Sequence, residues 1–191
     1  MARPKSFNRE TIIEKSMLLF WHQGYQGSSM RDLGKVTHLN PGSLYGSFGN
    51  KNQLFLLALE YYYKQLTKGI NTSLKSSKSN NSILNGFFQT IVTENESSDV
   101  KGCLLVNSLL ELANDADMQS HIAAMFTGIE EMFYWVIISG QKAGDFNKQL
   151  DPREMAQYLI NNYFGIRVQC MTGQTSDYLS NNIRYFLQRL I

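Results

Sequence analysis

The chain has 191 residues, of which 43% are hydrophobic, enough to bury a core without disulfide staples. Its two cysteines, Cys103 and Cys170, lie far apart without zinc-type spacing, which argues against a metal centre or a disulfide framework and suits a reducing cytosol. No apolar segment follows the basic start, and no apolar run approaches the ~18 residues that span a bilayer, so no membrane partner is expected. The net charge of +2 hides an asymmetry: residues 1–80 carry +7 and residues 81–191 carry −5. A basic segment joined to an acidic one suggests a polyanion contact near the N-terminal end.

Taken in chain order, the predicted elements are helical throughout. Ile13, Met17 and Phe20 recur at helical spacing, widened by Ile12 and Leu19, with Asn8 as N-cap and Gly24 as stop. Ser28 or Ser29 caps a second, short helix bearing Leu33 and Val36, with Asp32 as the acidic partner of a capping box; it ends near His38. Asn40 and Pro41 open a two-turn helix that runs to Phe48. Asn50 caps a fourth, which carries Leu54, Leu57, Ala58 and Tyr61 towards Ile70 and is long enough to connect two domains. The polar stretch 72–82 reads as a loop or frayed helix end, and 94–102 as a further break.

Beyond that break, Met118, Ile122, Met125, Ile129, Met132 and Val136 mark a helix expected to be largely buried. Asp151 and Pro152 open a helix bearing Met155, Leu159, Tyr163 and Ile166. Ser176 is the expected cap of the last helix, with Leu179, Ile183, Phe186 and Leu190. The fold class is therefore all-α, about nine helices, with a three-helix head at residues 1–50 and a helical body at 51–191, the fourth helix connecting them.

The segment SSMRDLGKVTHLNPGSLYGSFGNK, residues 28–51, carries the functional signal. Two short helices with a tight link share Leu33, Val36, Leu39, Leu44 and Phe48 as a small core, leaving the second helix with an outer face of small and polar residues. A recognition helix needs such a face, because bulky apolar groups would hold it away from base edges in the major groove. Short paired helices also occur as plain packing units.

The longer run FWHQGYQGSSMRDLGKVTHLNPGSLYGSFGNKNQLFLLAL resembles the DNA-binding signature of the TetR family: an aromatic residue ahead of a Gly-Tyr turn, a capped second helix, G-x-L-Y-x-x-F, then a lysine and an apolar fourth helix. The resemblance covers roughly the first sixty residues. It implies that Ser29, Met30 and Arg31 lie beside the DNA backbone, that Asn40, Pro41, Gly42, Ser43 and Ser47 face the major groove, and that the Tyr45 hydroxyl and Lys51 meet phosphates. It also implies a homodimer on near-palindromic double-stranded operator DNA, with recognition helices about one turn, ~34–36 Å, apart. Gly46 departs from commoner versions of the motif, which carry a bulky residue there, and should weaken one contact. Two readings of Tyr45 stand at this point, a phosphate contact or a ring packed into the head. Arg3 and Lys5, on the tail, reach DNA or are merely solvated.

For the body the same resemblance implies effector binding and dimerisation through the last two helices, about 152–172 and 176–190. The stripe of the last helix serves equally well as interface or as intramolecular core. Methionines and aromatics among the apolar residues can adapt around a small-molecule effector. The candidate effector residues are Cys103, Asn107, Phe126, Ile129, Phe133 and Asn162. Asn161 and Gln169 are further amides set among apolar residues. Cys103, at a helix start beside Gly102 and Lys101, is either an electrophile or oxidant sensor, as the GCLL-type entry to helix six in some family members implies, or an inert buried residue.

The expected function is a cytoplasmic transcriptional regulator of the repressor type, released by a small molecule or an electrophile or oxidant. No phosphate loop, metal cluster or nucleophile motif points to an enzyme, His22, His38 and His121 are scattered, and no cofactor is expected. The alternative is a helical protein-interaction module that does not bind an operator.

Overall fold

The computed structural model describes residues 7–74, 78–97 and 102–191. Arg3, Lys5 and Lys101, considered above, lie outside the described residues. Among those described there are nine α-helices and no strand. They are α1 (Arg9–Gln23), α2 (Met30–Thr37), α3 (Pro41–Phe48), α4 (Lys51–Ser73), α5 (Asn80–Ser97), α6 (Leu104–Glu111), α7 (Ala116–Ala143), α8 (Pro152–Met171) and α9 (Ser176–Leu187), the last followed by a 3-10 turn, Gln188–Leu190.

Local chemistry sets most of the helix ends. The Asn8 side chain accepts from the Glu10 and Thr11 amides at the start of α1, and Gly24, at φ 76°, donates its N–H to the Phe20 carbonyl at the end. At α2 it is Ser29 that caps, not Ser28, which is buried and donates to the Gly24 carbonyl. Asn50 and Gln53 exchange side-chain-to-amide hydrogen bonds of 2.9 and 3.0 Å, a capping box for α4. Two expectations need correction. The polar stretch 72–82 is loop or helix end only in part: α4 runs through Ser73, Leu74, Lys78 and Ser79 lie outside the helices, and from Asn80 the chain is already in α5, the Asn80 N–H and side-chain amide donating to Asp145 at 2.7 and 2.9 Å. The cap of α9 is Thr175, whose hydroxyl accepts from the Tyr178 N–H, with Ser176 already inside the helix.

The chain forms two compact units, Met1–Lys64 with Asn107–Ile122, and Gln65–Val106 with Ala123–Ile191. In the first, α1, α2 and α3 pack around Phe20, Leu33, Leu44 and Phe48, with Leu54, Phe55 and Leu59 of α4 buried as well. Val36 and Leu39 reach this core only half-buried. The Phe20 and Phe55 rings meet edge to face at 4.8 Å.

In the second unit α5 packs on α8 and α9. Phe88 stacks on Phe133 and meets Phe186 edge to face at 4.8 Å, so the stripe Leu179, Ile183, Phe186 and Leu190 is intramolecular core. Of the stripe on α7, Met118, Ile122, Ile129, Met132 and Val136 are buried, but Met125 is half-buried and Trp135 exposed, so that helix is buried along one face only. Contrary to the reading from apolar runs, α7 is long and apolar enough to cross a membrane by length and composition. Its stripe is instead satisfied within the protein, and Glu131 on its outer side pairs with Arg153.

Candidate nucleic-acid interface

The first unit presents α3 as an exposed helix anchored from beneath. Asn40 accepts from the Ser43 N–H at 2.8 Å and Pro41 occupies the first turn, so the helix opens without an unsatisfied proline position. Leu44 and Phe48 are buried and fix its inner face; truncating a residue such as Leu44 costs about 2–5 kcal/mol. Its outer face holds exposed Asn40, Pro41, Gly42, Tyr45 and Gly46, with Ser43 and Ser47 half-buried. A Cβ on Gly46 would meet nothing within 4 Å, so this glycine leaves an open surface. Tyr45 is 53% exposed, and its ring is not packed into the head.

The turn before α3 is built by His38, whose φ of 58° makes it the one non-glycine residue in the left-handed region among the described residues. That conformation lets its N–H and that of Leu39 close back onto α2, and it gives His38 a structural role. At the other end of α2, the Ser29 hydroxyl donates to Asp32 at 2.5 Å and accepts from the Asp32 N–H at 3.2 Å, while Lys35 pairs with the same carboxylate at 2.9 Å. These bonds, the Ser29 hydroxyl first, hold the Asp32 carboxyl at about 2. Ser29 and Arg31 are exposed and Met30 half-buried.

Lys51, in the first turn of α4, is half-buried with its ammonium 4.2 Å from the centroid of the Tyr25 ring. Burial pushes the Lys51 pKa down, opposed by the nearby Glu111 carboxylate. The Tyr25 hydroxyl bonds the Asn52 side chain. Two supporting residues escaped the sequence reading. Arg9 donates to the Ser47 carbonyl at 2.9 Å and lies over Phe48, and Glu111 accepts from the Tyr25 and Gln26 amides at 2.9 and 2.7 Å. Neither has a local motif; Glu111 is 86 residues from Tyr25.

The effector candidates do not form one cluster. Cys103 is buried with its sulfur 3.4 Å from the Tyr163 hydroxyl, and Tyr163 meets Phe87, which meets Phe133. Phe126 joins this aromatic group through Phe164, and Ile129 is buried. Burial, with the Cys103 sulfur adding to it, drives the Tyr163 phenol pKa far up. Asn162 instead donates to the Tyr158 carbonyl of its own helix and borders a groove of about 460 Å³ lined by Asn161, Gln169, Asn182 and Tyr185. Asn107 belongs to the first unit. Among the described residues no cluster of three or more His, Cys, Asp or Glu could hold a metal.

Residues 12–58 match the family model described as bacterial regulatory proteins, tetR family. The chain is 27% identical over 181 residues to the HTH-type transcriptional repressor ComR of Escherichia coli (strain K12), covering 93% of this chain and 86% of ComR. Over 159 residues it is 28% identical to the HTH-type transcriptional repressor DhaR of Mycobacterium sp. (strain GP1), covering 82% of this chain and 79% of DhaR. Among solved structures it resembles a cysteine-substituted variant of the regulator CifR in complex with 26-base-pair operator DNA, at a TM-score of 0.87 and 25% identity over 100% of both chains.

Proposed function

The chain belongs to the TetR family of bacterial transcriptional regulators, and from that premise we propose that it is a cytoplasmic repressor whose paired heads grip a near-palindromic operator. The observation that carries this reading is the outer face of α3, where small residues surround an exposed Tyr45 and Lys51 stands at the start of the next helix. In this reading Asn40, Pro41, Gly42, Ser43 and Ser47 meet base edges. Tyr45, Lys51 and the residues Ser29, Met30 and Arg31 hold phosphates, and so set affinity more than sequence preference.

The division of labour is a head at residues 1–50 and an effector-binding, dimerising body at 51–191. With the α9 stripe spent on the core, the dimer face falls to the exposed apolar groups beside it, Val168 and Met171 on α8 and Tyr178 and Tyr185 on α9. The effector acts on the body and shifts α4, which changes the separation of the two heads and weakens simultaneous contact with both half-sites. Cys103 is buried with its sulfur against the Tyr163 hydroxyl, surroundings that suit an inert thiol better than a reactive one, so a small molecule is the better-supported of the two signals.

A footprint on the chain's own promoter region, resistant to competitor DNA, is expected, and its loss when Tyr45→Phe is combined with Lys51→Ala. Normal binding by that double variant contradicts the site. Operator release after alkylation tests the signal: unchanged affinity with Cys103 fully modified removes the thiol from the mechanism.

A further inference from the structure

We propose that Glu111 is a positioning residue for operator binding: by clasping the turn after α1 it fixes the Tyr25 ring on which the Lys51 ammonium rests. The proposal rests on the assignment of Lys51 to a DNA phosphate. The Glu111 carboxylate takes both successive amides of the turn, at Tyr25 and Gln26, one on each oxygen. Carboxylate oxygens on backbone N–H groups make charge-assisted hydrogen bonds, stronger than neutral ones, so this end of the turn is held firmly.

The preceding residue is fitted to the clasp. Gly24 has φ 76°, and a Cβ there would stand 2.9 Å from both Glu111 oxygens, so only glycine leaves the carboxylate in place. From the clasped turn, Tyr25 lies against Phe20 and Phe55, its hydroxyl bonds Asn52, and its face meets Lys51 at 4.2 Å. A lysine stem has four rotatable bonds, and its ammonium is a mobile point charge unless something holds it. Here an aromatic face does, and the orientation of that face is set by the turn.

Simple electrostatics predicts the opposite effect. A carboxylate close to a phosphate contact repels DNA, so its removal should tighten binding. The clasp predicts weaker binding, because the ordered ammonium is lost along with the carboxylate. The sign of the effect therefore separates the two accounts.

The test measures operator affinity of the full chain against salt concentration for the unaltered protein, Lys51→Ala, Glu111→Gln, Glu111→Ala and the Glu111→Ala/Lys51→Ala double variant. A lost phosphate contact reduces the slope of log K against log salt by about 0.9 per head, or about 1.8 for a dimer. Lys51→Ala is expected to show that loss, Glu111→Ala most of it, Glu111→Gln a smaller part, and the double variant no more than Lys51→Ala alone. A merely structural role for Glu111 would lower the thermal midpoint and leave the slope untouched. If Lys51→Ala flattens the slope while both Glu111 variants keep it, or bind more tightly, the clasp is overturned. If Lys51→Ala itself leaves the slope unchanged, the phosphate assignment falls and the clasp with it. Should Glu111→Ala fail to fold, Glu111→Gln carries the same reading.

Discussion

The guanidinium of Arg9 lies 4.6 Å from the centroid of the Phe48 ring and donates to the carbonyl of Ser47, so the first turn of α1 holds the last turn of α3. The last carbonyls of a helix lack partners within it and attract a cation. Arg9 thereby supplies from a distant position what α3, with no basic residue in its last turn, lacks.

Arg9→Ala is expected to lower stability by about 0.5–1 kcal/mol, the range for an exposed cation–π pair, and to weaken operator binding further by loosening α3. Arg9→Lys should restore part of the stability, since an ammonium still meets the ring but lacks the guanidinium's forked geometry. Urea midpoints and operator affinities of the two variants check this. Equal stability of Arg9→Ala and the unaltered protein would show the contact to be idle.

The capping box of α2 gives a pH prediction. The native pKa of Asp32, about 2, lies below that of an unfolded aspartate, so its stabilising contribution is complete above the unfolded value and is lost as the pH falls towards 2. In a titration followed by NMR, the Asp32 carboxyl should show its midpoint near 2, and Ser29→Ala should move it up towards the ordinary aspartate range. A midpoint near 4 in the unaltered protein would mean that the Ser29 bond does not persist in solution.

Much of the head was legible because its signals are local. Asn40 followed by Pro41 fixes the start of α3, and the alternation of buried Leu44 and Phe48 with small residues fixes which face is outward. The body was less legible because its stripes fit more than one partner. Leu179, Ile183, Phe186 and Leu190 have the same spacing whether they meet α5 or a second subunit, and only the packing of Phe186 on Phe88 decides. Polarity misled at 72–82, where Asn80 is helical because Asp145, 65 residues away, caps it. The support from Arg9 and Glu111 was invisible for the same reason: each acts across a separation that no motif spans.

Gly140, inside α7, is required by a neighbour. A Cβ there would lie 2.1 Å from the ring of Phe146, which is itself buried. Alanine gains up to about 1 kcal/mol of helix propensity over glycine, but overpacking a fixed aromatic costs about 1–3 kcal/mol. A net fall in the thermal midpoint is expected for Gly140→Ala, at about 2–4 °C per kcal/mol for a chain of this size. Combining it with Phe146→Leu should recover part of the loss; a midpoint raised by Gly140→Ala alone would show that the ring gives way.

Arg167 is a cation in the core of the second unit, its side chain 4% exposed, and it donates to the half-exposed Glu94 at 2.8 Å. Its guanidinium also lies 5.5 Å from the centroid of the Tyr163 ring. Removing one partner of such a pair costs more than removing the charge itself, because the remaining ion stays buried without its counter-charge. Glu94→Ala should therefore destabilise the protein by about 1.5–3 kcal/mol, the range for hydrogen bonds to charged groups. The value should fall at the low end, since water reaches this carboxylate and replaces part of the lost bond. Arg167→Met keeps the stem's volume without the charge and should be nearly neutral. Urea unfolding of the two variants decides the order. If Arg167→Met proves the more damaging, the guanidinium contributes through Tyr163 and its packing more than the Glu94 pair stabilises it.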